Sequence, residues 1–487
     1  MDHNATPQEQ APQGLNDLQP QTTKVFPMVL PLSELLKVPE SLEFILLGLD
    51  QYLSMCPLSV CVFFLLCAAA LLLKFTMRSF GSSSSSLCFP CLPRLPVLGS
   101  LLHLPSSLPL HLGLTELSRR LGPVFGMFLG PHLNLVVSEV GLVREVLLQK
   151  GREFAGRPQM VTTDLLTRGG KDIAFADYSE LWRSHRRLVH ASFSLFGEGS
   201  SKLQSIVQDA ADILCEELLH LQGQSSDLSV SITRAVTNVI CMLVFSSSYE
   251  PEDPELARVM EYNQGIVETI AQGALVDIFP WLQIFPNKVL RKLKKCVTIR
   301  DQLLQRKLQE HKVSMTPGEP RDLLDALLMG QTGGSGNDNI TEDHVIMTAA
   351  EAFGAGVETT STTLMWLIAF LIHHPQLHHW DPSKALLAFV QVQERVHSEL
   401  DECLGQDRSP SLSDRSHLPF LDAVLCEVMR IRPVSPILIP HVAMQDTSLG
   451  GAVVPKGTRV LVNMWAIHHD PKNWDEPHLF RPGERDG

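Results

Sequence analysis

One segment constrains this chain more than any other. From Glu342 to His374, apolar residues recur at helical spacing for about nine turns. Val345, Ile346 and Met347 lead into it, and Leu364, Met365, Trp366, Leu367, Ile368 and Phe370 lead out. The pattern predicts a buried core helix. Yet its centre, AFGAGVETTST (Ala352 to Thr362), holds Gly354, Gly356, Glu358 and paired threonines. Each Gly costs a helix interior about 1 kcal/mol relative to Ala. A buried carboxylate costs several kcal/mol unless it is paired or protonated. One reading gives these residues a purpose: Gly356 lets a ligand approach the backbone, while Glu358 and Thr359 pass protons to it. The other is a local kink, with threonine hydroxyls bonding back to carbonyls one turn earlier.

The 487 residues, 44% hydrophobic, are ample for a large core. A net charge of -13, with no long basic stripe, excludes a nucleic-acid partner. The ten cysteines lack the paired spacing of a secreted disulfide framework and fit a reducing compartment. Residues 1–55 read as a polar, disordered extension. Residues 56–75 are nearly continuous hydrophobe, long enough to anchor the chain in a bilayer. Lys74 and Arg78 follow, which places the C-terminal side in the cytosol. Residues 76–105, rich in Ser and Pro, read as a linker. Residues 106–487 form the globular part.

Within it, Val124 to Ser138 reads as a hairpin about Gly130-Pro131, and Thr458 to Val462 as a strand. Helical patterns cover Lys202 to Leu221, Leu228 to Val244, Glu255 to Ala271, Lys288 to Lys312, Glu342 to His374, Gln393 to Leu404 and Phe420 to Arg430. The fold class is therefore mostly α with a small β region.

Three further patterns bear on chemistry. Trp182 and Arg186, spaced by four on a helix, share one face and can receive the carboxylates of a cofactor; an ordinary amphipathic surface has the same look. Glu427 and Arg430 pair at i, i+3 within CEVMRIRPVSPILIPH, where a helix ends, prolines extend the chain, and His441 closes it. FPWLQIFPNK (Phe279 to Lys288) is an apolar stretch that either dips into a membrane or forms a buried loop. The basic helix from Arg291 is either a solvated face or a dock for an acidic electron-transfer partner.

AGVETT, WxxxR, and EVMR followed by RPVSP, in this order after an anchor and a Pro-rich hinge, resemble the microsomal cytochrome P450 family over roughly Leu95 to Pro482. GREFAGRPQM, YNQGIVETI, PWLQIFPNK, RIRPVSPILIPH and VPKGTRVLVNMWAIHHD extend the likeness to its steroid-hydroxylating members that act at carbon 17. The resemblance implies the cytochrome P450 fold, a haem b cofactor, and monooxygenase activity on C21 steroids such as progesterone and pregnenolone. It adds possible cleavage of the 17,20 bond. Ala355 and Gly356 would line the oxygen pocket, and Glu358 and Thr359 would deliver protons. Arg157, Trp182, Arg186 and His441 would hold the haem propionates. Glu427 and Arg430 would form the structural ion pair. Asn263 would bond the steroid A-ring oxygen, with Arg300 near that end and Leu166 along the wall. NADPH-cytochrome reductase, cytochrome b5 and a single-pass endoplasmic reticulum anchor would be its partners and place, with the catalytic domain cytosolic.

The chain departs from the family pattern at its joints. The family's haem ligand is a cysteine in a late Gly-rich loop, and no cysteine follows Cys426 here, so no metal ligand is assigned. After Phe480-Arg481-Pro482 the next arginine, Arg485, falls one position late. Residues 377–392 are an atypical apolar insertion, and the extension before the anchor is unusual. The expectation is a C-terminally truncated form that makes no haem-thiolate complex and no product. Its alternatives in function are a non-catalytic, membrane-bound isoform and a related steroid hydroxylase of different regiochemistry.

Overall fold

The computed structural model describes residues 62, 64–70, 74, 89–196, 201–333, 339–372, 382–405 and 408–483, with the backbone alone over 382–391. The chain divides into two compact units, Met1–Gly81 and Ser82–Gly487. In the first, residues 62, 64–70 and 74 are helical, and Val62, Phe64, Leu65 and Leu66 expose their side chains. The rest of the anchor segment, and the whole extension before it, lie outside the described residues.

The second unit runs α1 (Leu110–Leu121), β1 (Val124–Leu129), β2 (His132–Val137), α2 (Val140–Arg144), α3 (Val161–Leu166), α4 (Glu180–Ser194), α5 (Ser201–His220), α6 (Ser229–Phe245), α7 (Pro254–Gln272) and α8 (Leu275–Ile278). It continues with α9 (Lys288–Ser314), α10 (Leu323–Gly333), α11 (Glu342–Ile372), α12 (Pro382–Leu404), α13 (Pro419–Ile431), β3 (His441–Val442), β4 (Thr447–Leu449), β5 (Ala452–Val454), β6 (Arg459–Val462) and α14 (Met464–His468). Local chemistry sets several of these starts. Ser179 caps α4 by accepting from the Trp182 N–H, and Asn287 caps α9 by accepting from Val289 and Leu290. Asp253 followed by Pro254 opens α7.

The sheet has the order β1-β2-β6-β3. β1 and β2 are the expected hairpin, pairing Val124 with Val137 through Leu129 with His132, and Gly130 takes a positive φ of 59° at its turn. β6 joins β2 in parallel, which brings residues near 460 beside residues near 135. Leu135, Val137, Phe154, Val460 and Val462 form the core on one side of this sheet. The larger core gathers α4, α6, α7, α9 and α10 round α11 and includes Leu188, Cys241, Tyr262, Leu293, Leu327, Met347 and Phe353. By length and composition alone α11 could cross a membrane. Its place at the centre of this core, with Val345, Met347, Phe353 and Val357 buried, identifies it as a core helix.

Four differences from the sequence reading stand out. Helices α1 and α10 escaped it, because α1 carries Gly113 at mid-helix and α10 ends in a glycine-rich run. Residues 89–105, assigned to the linker, are packed: Leu92 and Ser100 are buried, and the Leu92 N–H donates to the Gly126 carbonyl. In the insertion 377–392, residues up to 381 lie outside those described, and from Pro382 the backbone is helical and continuous with the helix expected at Gln393. The basic face of α9 is engaged by α7: Lys292 pairs with Glu268, Lys295 with Glu261, and Arg306 with Glu255. Those pairs lie at the surface, and Arg291 and Lys294 on the same helix are exposed beside them.

Candidate active site

Packing explains one of the two glycines of α11 and leaves room for a side chain at the other. A Cβ on Gly356 would meet Ile240 Cδ1 of α6 at 2.8 Å, and one on Gly354 would meet Asn263 Oδ1 of α7 at 3.4 Å. Gly356 therefore serves the close approach of two helices. The turn between these contacts is open. Ala355, Thr359 and Thr360 are exposed, and Glu358 is partly buried. The Thr359 hydroxyl donates to the Ala355 carbonyl at 2.8 Å, and Ser361 and Thr363 do the same one turn below their own positions. The structure thus shows the back-bonding arrangement, on an open strip of helix.

Asn263 is buried beside that strip. Arg300, also buried, is committed to protein: its guanidinium donates to Asp301 Oδ1 and to the Leu166 carbonyl at 2.8 Å. Arg168 bonds the same Asp301 and reaches Asp343. Arg300 thus ties α9 to the end of α3, which holds Leu166.

A second group lies where GRP meets IPH. Gly156 exchanges backbone hydrogen bonds with Val442, which brings Arg157 beside His441. Arg157 Nη1 donates to the Ile439 and Pro440 carbonyls at 3.1 and 2.9 Å, and its guanidinium makes no other bond among the described residues. His441 Nδ1 lies 2.7 Å from the Phe154 carbonyl. A carbonyl only accepts, so Nδ1 carries the proton and Nε2 is uncommitted. Burial, then the nearby Arg157 charge, lower the His441 pKa.

Trp182 and Arg186 do share a face of α4, with the guanidinium 5.4 Å from the indole ring. The indole N–H, expected to meet a propionate, donates instead to the Ile173 carbonyl at 3.0 Å. Arg186 is exposed.

The Glu427–Arg430 pair is formed. Nε and Nη2 of Arg430 bond the two Glu427 oxygens at 2.7 and 2.8 Å. The remaining bonds reach the His468, Pro477 and Leu479 carbonyls. Glu427 also accepts the Arg481 backbone N–H at 3.1 Å, while the Arg481 guanidinium pairs with Glu476.

Three buried groups were not singled out from sequence. Glu351, one turn before Ala355, accepts backbone N–H groups from Ile173 and Ala174. His185 of α4 meets Thr348 of α11 at 2.7 Å, edge-on to His344. His311, Asp322 and Asp325 cluster as metal ligands could, but they are mutually satisfied: His311 bonds Asp322 and the Lys307 carbonyl, and Asp325 bonds Arg321. Polar residues on core helices were the available signal for all three.

The family model described as Cytochrome P450 matches residues 89–484. The chain belongs to the cytochrome P450 family. Among curated members, the steroid 17-alpha-hydroxylase/17,20 lyase of Oryzias latipes is 50% identical over 438 residues, covering 88% of this chain and 81% of the relative. That of Gallus gallus is 50% identical over 398 residues, covering 80% and 75%. A zebra fish cytochrome P450 solved with progesterone superposes with a TM-score of 0.69 at 72% identity, covering 77% of this chain and 84% of that one. Another, solved with abiraterone, gives 0.66 at 69% identity, covering 77% and 82%.

Cytochromes P450 use haem, and the residues present fit part of it. Arg157 Nε and Nη2, uncommitted, suit a carboxylate such as a propionate, while His441 Nε2, unprotonated in this tautomer, donates to one only as the imidazolium. The open strip at Ala355 and Thr359 suits the face where oxygen binds. Of the described cysteines, Cys241 and Cys296 are buried in the core round α11, Cys91, Cys215 and Cys426 are exposed, and Cys67 and Cys403 are half-buried, so no thiolate ligand is assigned among them.

Proposed function

We propose that this cytochrome P450 is a steroid 17α-monooxygenase that hydroxylates progesterone and pregnenolone at carbon 17, with 17,20-bond cleavage as a further activity. The observation that carries the reading is the buried amide of Asn263 set against α11 one residue from the open strip at Ala355. A largely apolar pocket with one well-placed polar group fixes a steroid by one end. Asn263 Nδ2 donates to the A-ring oxygen. Arg300 acts one step back, by holding Leu166.

Haem, when bound, supplies oxygen activation. Arg157 would hold its propionates, with His441 joining once Nε2 is protonated, and Arg186 would add a cation beside them, while Trp182 steadies the Ile173 segment. Thr359 keeps its hydroxyl proton on the Ala355 carbonyl and turns it outward when a proton is needed. Glu358, one position earlier, replenishes it. NADPH-cytochrome reductase and cytochrome b5 supply electrons, and residues 56–75 anchor the chain in the endoplasmic reticulum membrane. The curated relatives' names and the zebra fish structure with progesterone support this reading.

The test is incubation with haem, reductase, NADPH and each steroid, followed by product identification. Products hydroxylated at carbon 17 are expected. Hydroxylation elsewhere would favour a related steroid hydroxylase. No product, with no thiolate Soret band in the reduced-CO difference spectrum, would favour a non-catalytic membrane-bound form.

A further inference from the structure

Between α3 and α4 the chain crosses the N-terminal end of the open strip as Asp172-Ile-Ala-Phe-Ala-Asp177. Short backbone segments beside a pocket need their polar groups satisfied to hold one position. Here the satisfaction comes from both sides. Glu351 Oε2 accepts the Ile173 N–H and Oε1 accepts the Ala174 N–H, each at 2.8 Å. Trp182 Nε1 donates to the Ile173 carbonyl. One peptide unit is thus gripped by α11 and by α4. Asp172 Oδ2 closes the turn on the Phe175 N–H, which leaves Phe175 packed against the core cluster that contains Leu166, Tyr262 and Phe353.

We propose that Glu351 is a positioning residue for the steroid: its carboxylate clamps Ile173-Ala174 to α11 and so sets the pocket wall that this segment and Phe175 form. This rests on the steroid reading above. The position of Glu351 fits the role, one helical turn before Ala355 on the same face. A carboxylate suits it because two converging N–H donors need two acceptor oxygens. Gln offers one oxygen, and its NH2 group would face the second donor.

The clamp is also sensitive to protonation, since a protonated carboxyl has an O–H where an acceptor was. Burial, reinforced by the neighbouring Asp172, raises the Glu351 pKa to about 7, against the two N–H bonds and Arg157, which lower it. Asp172 is itself raised by burial, and its Oδ1 is buried without a partner. Arg157 bears on both carboxylates.

Amide hydrogen exchange on the full chain, without steroid, reads the clamp directly. Glu351→Gln is expected to speed exchange at Ile173 and Ala174 tenfold or more while β1 and β2 keep their protection, and Glu351→Asp is expected to recover part of it. Unchanged exchange in the Gln variant overturns the proposal. Should that variant not fold, wild type decides: after correction for intrinsic rate, protection at the two amides falls between about pH 8 and about pH 6. Wild-type protection at pH 8 no greater than that of a free loop amide overturns the clamp. Equilibrium dialysis with progesterone reads the wall, and Glu351→Gln is expected to raise the Kd about tenfold. Faster exchange with an unchanged Kd overturns the positioning role. If wild type binds no progesterone, the steroid reading fails, and the exchange data still judge the clamp.

Discussion

At the scale of single residues, Arg430 shows how a buried charge is held. All of its donors are used, on Glu427 and on three carbonyls from the chain after β6, and Trp474 lies 4.9 Å from its guanidinium carbon. Removing one partner strands the other in a dry site. Glu427→Gln or Arg430→Met is therefore expected to cost about 3–5 kcal/mol, read by urea unfolding. Gly156 is a steric counterpart. A Cβ there would stand 2.9 Å from the Val442 carbonyl oxygen and 2.8 Å from Met444 Sδ. The oxygen belongs to the backbone pairing that sets Arg157 beside His441, so it cannot swing aside. Gly156→Ala should cost about 1–3 kcal/mol in the same assay. The E-x-x-R spacing and the GRP tripeptide were legible in the sequence. The carbonyls they meet were not, because every residue has one.

At the scale of elements, two buried histidines couple helix packing to pH in opposite directions. His311 joins α9 to the start of α10. Both ring nitrogens face acceptors, the Lys307 carbonyl and Asp322, so the ring is an imidazolium. Burial opposes this, but the Asp322 contacts and the Lys307 carbonyl together raise its pKa above the ordinary 6.5. Its contribution is full below pH 6.5 and is lost as pH rises through the raised value. His185 joins α4 to α11. Thr348 gives its proton to the His344 carbonyl, so His185 Nε2 is the donor in their contact. Burial, then His344, lower its pKa from 6.5 to about 4. Its contribution is full above pH 6.5 and is lost as pH falls through about 4. Unfolding measured across pH should show His311→Gln flattening the alkaline limb and His185→Gln flattening the acid limb. The helices themselves were legible from their period, several to within two residues at each end. α1 was missed because its pattern is broken by Gly113, whose neighbour in the fold is Pro105.

At the scale of the whole molecule, charged and apolar side chains reach the surface in two different ways. The cations of α9 that face α7 pair with its carboxylates at the surface, where solvent screens them. The FPWLQIFPNK segment instead exposes Trp281, Ile284 and Phe285, Ile284 at 81%. Such a cluster is the chemistry of a bilayer contact. In vesicles with brominated acyl chains, Trp281→Phe should remove a quenched component from the fluorescence of the full chain. An unquenched Trp281 would return the segment to the status of a loop in water.

The sequence alone determined the helical architecture, the hairpin, the E-x-x-R pair and the membership of a haem-using family. These follow from short-range periodicity and from side chains whose chemistry is specific. Tertiary structure decided what each of these residues faces. It turned Gly356 toward Ile240, gave the Trp182 N–H to a carbonyl, spent Arg300 on Leu166, and brought Glu351 to Ile173 and Ala174. Those partners are backbone groups or apolar atoms far away in the chain, without any identity that a sequence could display.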